Sequence, residues 1–151
     1  MRWLLLVMVV ACKSSPSDAP AHKPNDEMDE KMRHCPLALD GAAATLDNVA
    51  GGVRFTVHVP PAQLDELRKR AHHIVEFAAR RTREGHGEFD AKGGGHMKNC
   101  PVLTEGVTIA VTDLPDGAQL DVTGDRADAI RAESRDRARK FPFVGATITV
   151  R

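Results

Sequence analysis

The chain has no tyrosine, a single tryptophan, and only 4% aromatic residues among its 151. With so few rings it offers no platform on which successive bases or sugars could stack. It also has no excess of either charge, 21 basic side chains standing against 21 acidic ones, which argues against a polyanionic partner such as nucleic acid. Its longest apolar run, residues 3–11, is nine residues long. A helix of that length rises about 14 Å, roughly half a hydrocarbon core, so a permanent transmembrane span is disfavoured. The spacings CxxC, HxxxH, HExxH, GxSxG and GxxxxGK[ST] are all missing. The Gly-rich run 91–98 crowds lysines against glycines, but it lacks the phosphate-loop spacing and no strand precedes it, so it reads as a linker. With no nucleophile elbow, no supported Ser/His/Asp order and no carboxylate pair in a catalytic setting, the chain is expected not to be an enzyme.

What is present is a globular composition, 42% hydrophobic and 28% charged, behind an N-terminus with the character of a targeting segment. Arg2 precedes the apolar run, which ends at Cys12, and the chain then turns polar at Lys13, Ser14, Ser15 and Pro16. This is the pattern of a signal peptide. Val9, Val10, Ala11 and Cys12 resemble the lipobox of bacterial lipoproteins. That resemblance implies a signal peptide over residues 1–11, lipidation of the Cys12 thiol, cleavage just before it and acylation of the new amino group. It also implies a membrane partner reached through the lipid and residence in the bacterial cell envelope, with the outer membrane favoured because Lys13 follows the cysteine. Two or more acyl chains hold a protein on a membrane stably, where one does not. Residues 12–33 carry Pro16, Pro20 and Pro24, serines, mixed charge and few apolar groups, and are expected to form a disordered tether.

Behind the tether the chain aligns with itself at an offset of 65, which places Cys35-Pro36 over Cys100-Pro101, Gly41 over Gly106 and Gly52 over Gly117. Apolar residues alternate in step: Ala42, Ala44 and Leu46 overlie Val107, Ile109 and Val111, while Val53, Phe55 and Val57 overlie Ala118, Leu120 and Val122. Each block reads as a hairpin with one buried face. Pro60 and Pro61 then open a helical stripe of Leu64, Leu67, Ala71, Ile74 and Ala78. A second stripe of Ala127, Ile130, Ser134, Ala138 and Phe141 follows Asp125, a suitable N-cap. Val144, Ala146, Ile148 and Val150 alternate in a final strand. Neither ββα unit can close a core alone. The expectation is therefore one α+β domain over 34–151, a duplicated ββα unit (34–84 and 99–141, with a Gly-rich linker 85–98 and a last strand in 143–151). Its antiparallel sheet of four to five strands should carry both helices on one face. The motifs His34-Cys35-Pro36 and Asn99-Cys100-Pro101 resemble those of bacterial secreted or lipid-anchored proteins with two Cys-Pro-led ββα repeats, a group to which no function attaches.

Two chemistries compete for the residues around the paired cysteines. An even pair at matching positions in an oxidising compartment reads by default as a disulfide, Cys35 to Cys100. The alternative is a copper or zinc site, since His34 adjoins Cys35 while His86, His96 and Met97 precede Cys100, and imidazole, thioether and thiolate suit those metals. Met28 and Met32 on the tether add soft donors. His58 is expected to face solvent, and His72 and His73, about 100 degrees apart on their helix, cannot share a face. The functional expectation is a lipid-anchored envelope protein acting as a non-catalytic binding or structural module without a cofactor, with an envelope metal-binding lipoprotein as the alternative.

Overall fold

Period-two alternation builds the sheet. In a computed structural model, which describes residues 32–84, 99–104, 106–141, 143 and 145–151, strands β1 (Ala43–Val49) and β2 (Gly52–His58) form one hairpin, and β3 (Thr108–Leu114) and β4 (Gly117–Thr123) the other. Ala44, Leu46, Val53, Phe55, Val57, Ala118, Leu120, Val122 and Ile109 point to a single buried face. The alternate residues Thr45, Thr56, Gln119 and Thr112 are paired across the opposite, open face. The two hairpins join through β2 and β4, antiparallel, with Phe55 opposite Leu120.

Helix α1 (Leu64–Glu84) follows a short 3-10 turn, Pro61–Gln63, in which proline's fixed φ suits the first turn. It buries Leu67, Ala71, Ile74 and Ala78, with Leu64 only partly covered at its start. Helix α2 (Ala127–Arg139) buries Ile130, Ser134 and Ala138. The cap position expected for Asp125 is occupied by Arg126, which makes no side-chain capping bond, and Asp128 supplies the acidic group of the first turn. Each helix leaves its own hairpin: α1 packs on β3 and β4, whereas α2 packs mainly on β2 and β5. The buried face of the five strands is thus shared between the helices, and each hairpin is roofed largely by the other's helix.

The sheet departs from the expected antiparallel arrangement. Its order is β3-β4-β2-β1-β5, and the last strand β5 (Thr147–Val150) pairs parallel with β1, Ala44 opposite Ile148 and Leu46 opposite Val150. The reason is topological. β4 and β1 both run antiparallel to β2 and hence parallel to each other, and α2 carries the chain back over the sheet to start β5 in the direction of β4. A helical crossover is the connection that parallel pairing requires. The molecule is therefore α+β with a mixed five-stranded sheet and two helices.

The two segments that lead into the hairpins contribute to the core themselves. Met32, Cys35, Leu37, Cys100, Val102 and Leu103 are all at most 1% exposed. Met32, which the sequence groups with the tether, is thus a core residue and is not available as a soft donor. Gly41 and Gly106 end these lead-in segments with φ of +74° and +69°, a conformation that a side chain would strain.

Candidate functional site: a histidine pair beside the disulfide

The two Cys-Pro segments fold alike. Proline suits the second position of a β-turn, and the turn closes when the Ala38 amide donates to the Cys35 carbonyl and the Leu103 amide to the Cys100 carbonyl, both at 3.1 Å. The cysteines meet as a disulfide with a Cα separation of 5.8 Å, inside the range that such a bridge requires. Both are fully buried.

Each turn is held by an arginine from a helix. Arg70 Nη1 donates to the Ala38 carbonyl at 2.7 Å and more weakly to that of Cys35 at 3.5 Å, while its Nε donates to Glu66 at 2.7 Å. Arg137 does the same to the carbonyls of Leu103 and Cys100 and is itself paired with Glu133. The shared pattern is Glu-x-Arg-x-Arg, at 66–70 and again at 133–137. It lies outside the self-alignment because the two segments stand 67 residues apart rather than 65: Glu66 comes eight residues after the end of β2, and Glu133 ten residues after the end of β4. Hydrogen bonding to Arg70 holds the Glu66 carboxyl below its ordinary value, with the charges of Arg70, Lys69 and His34 adding to the effect and burial opposing it.

Beside this clamp the two halves differ. His34 precedes Cys35, and His73 lies one turn beyond Arg70; their rings lie side by side with centroids 5.1 Å apart and planes tilted by 41°. The corresponding positions in the second half, before Cys100 and one turn beyond Arg137, carry Asn99 and Lys140. His34 is exposed and His73 half-buried. Arg33 Nε donates to His34 Nε2 at 3.3 Å, so that nitrogen acts as an acceptor. Partial desolvation lowers the His34 pKa below the ordinary imidazole value, His73, Arg33 and Arg70 add in the same direction, and Glu66 opposes.

The remaining sequence candidates separate into two groups. His86, His96, Met97 and Cys12 lie outside the described residues. His58 and His72 are occupied by carboxylates, against Asp116 at 3.0 Å and Asp113 at 3.3 Å. Among the described residues no group of three or more His, Cys, Asp or Glu is arranged to hold a metal ion, and no helix is long and apolar enough to cross a membrane. Several arginines of α2 serve the fold rather than a basic patch: Arg131 donates to the carbonyls of Val49 and Gly52, and Arg135 to that of Arg151. No family model, curated protein or solved structure matches the chain.

Proposed function

We propose that the chain is a lipid-anchored protein of the bacterial cell envelope, attached through Cys12, whose folded part is a non-catalytic binding or structural module made of a duplicated ββα unit. The observation that carries the reading is the buried Cys35–Cys100 disulfide, a cross-link typical of oxidising compartments outside the cytosol. It agrees with the lipobox-like Val9-Val10-Ala11-Cys12 and the proline-bearing polar stretch that follows. That stretch would let the module stand clear of the headgroups of the outer membrane, the favoured location.

Duplication is supported by how consistently the offset of 65 recurs in contacts. Cys35 bonds Cys100, Phe55 faces Leu120, and Gly41 and Gly106 share a backbone conformation. In an antiparallel pair only one position can face its own counterpart, and that position marks a two-fold axis. The non-catalytic reading rests on how the polar side chains are used, since the arginines just described hold backbone carbonyls and the His58 and His72 rings are paired with carboxylates.

Labelled palmitate tests the anchor. Cells expressing the full chain should incorporate label that fractionates with membranes, and Cys12→Ser should abolish it. Label retained by the Cys12→Ser protein would overturn the reading.

A further inference from the structure

We infer that His34 and His73 form a two-imidazole site for a divalent transition-metal cation of the copper and zinc class. The inference is independent of the membrane anchor and rests on the geometry of the two rings.

The first support is separation. A tetrahedral zinc or copper ion sits about 2.0–2.1 Å from each ligating nitrogen, and the nitrogen about 1.1 Å from its ring centroid, so two rings sharing one ion have centroids about 5.2 Å apart. The observed separation is 5.1 Å.

The second support is preorganisation. His34 is next to a disulfide-bonded cysteine in a turn clamped by Arg70, and His73 is three residues after Arg70 on α1. One arginine therefore fixes the supports of both rings, which lowers the ordering cost of a shared ion. The third support is dispensability to the fold. The same turn, clamp and disulfide form in the other half with Asn99 and Lys140 at the matching positions, so imidazoles are not required there for packing. The fourth is availability. Unlike His58 and His72, neither ring is hydrogen-bonded to a carboxylate among the described residues. His34 is exposed, so an ion could reach the pair and fill its remaining coordination with water. Arg33, also exposed, donates to Nε2 of His34, and a ring that ligates through that nitrogen would have to release it.

The test uses the full chain in detergent, purified without a polyhistidine tag and titrated calorimetrically with zinc chloride and with copper(II) chloride. One equivalent should bind, and His34→Asn or His73→Asn should each weaken binding at least tenfold, while His58→Asn and His72→Asn leave it unchanged. Magnesium should not compete, its ligand preference being oxygen. Weakening of less than tenfold in His34→Asn or His73→Asn, or an absence of binding by the unaltered chain, overturns the site. Circular dichroism of the metal-free variants checks their folding. A second measurement needs no variant: ring-nitrogen correlation spectra of the unaltered protein should show His34 and His73 shifting together and saturating at one equivalent of zinc. Unshifted His34 and His73 resonances would overturn the proposal on their own.

Discussion

Reducing the Cys35–Cys100 bond is the perturbation with the largest effect to be worked from the structure. The bond closes a loop with a sequence separation of 65. On the chain-entropy relation a loop of that length confines the unfolded chain by about 4 kcal/mol at 25 °C. For a domain between the small and mid-sized classes, where each kcal/mol moves the midpoint by about 4 °C, reduction should lower Tm by about 15 °C. The native state itself should change little, because both sulfurs are fully buried and reduced thiols pack as small apolar groups. The appropriate assay is denaturant unfolding followed by circular dichroism, with and without a phosphine reductant. The reduced protein should unfold at lower denaturant with a steeper slope, since its unfolded chain is released to expose more surface. Hydrogen exchange should show the loss first at the amides of Ala38 and Leu103, whose turns are held by Arg70 and Arg137 outside any strand ladder. A stability change below about 1 kcal/mol would refute the entropic reasoning. Two free thiols in denatured, unreduced protein would refute the bond itself.

Other substitutions probe the remaining contacts. Ser134 is fully buried and its hydroxyl has no partner among the described residues, so Ser134→Ala should be neutral or stabilise by up to about 1 kcal/mol in thermal unfolding; a clear loss would show the hydroxyl to be satisfied. At Gly117 a Cβ would overlap the Val57 carbonyl across the central pair. Gly117→Ala should therefore cost about 3 kcal/mol or more, measured by denaturant unfolding, and a cost under about 1 kcal/mol would mean the strands can part there. The Glu66 carboxyl, held low by Arg70, stabilises the fold fully above the ordinary carboxylate value, and the contribution is lost as pH falls through the lower folded value. Glu66→Gln should therefore flatten the acid side of a Tm-versus-pH profile, and an unchanged profile would remove Glu66 from the clamp.

Those features that depend on short-range pattern were legible in the sequence. Alternation in 43–58 and 107–123, the stripe from Leu67 to Ala78 and the paired Cys-Pro landmarks lead directly to two hairpins, a long helix and a bridge. The parallel placement of β5 was not legible, because Ile148 and Val150 would alternate in the same way beside either sheet edge, and only the path of α2 decides between them. Met32 reads as one apolar residue in a polar run, and nothing local distinguishes it from Met28. His73 reads from sequence as a solvated or helix-packing residue, since nothing local ties it to His34, and the arginine clamps were missed for a different reason. A fixed offset of 65 aligns the strands but not the helices, and Glu66-x-x-x-Arg70 matches Glu133-x-x-x-Arg137 only when two residues are inserted.

On the proposed duplication, each half of the molecule acts as a control for the other, and that is what separates structural polar residues from candidates for chemistry. Glu66 with Arg70 and Glu133 with Arg137 occur in both halves, make the same contacts to the carbonyls of Ala38 and Leu103, and are accounted for by the need to satisfy buried turn carbonyls. Asymmetry alone is not evidence of function. Leu67 stands where the second half has Ser134, and that difference is a core matter, leaving α2 with a smaller apolar face than α1. His34 and His73 differ from that case in two respects. They lie at the surface, where packing places few demands on residue type, and they differ from Asn99 and Lys140 at two positions that are remote in sequence yet brought to 5.1 Å by the fold. A solvated surface needs no such coincidence, whereas a shared ligand would explain why imidazoles occur at both positions in the same half.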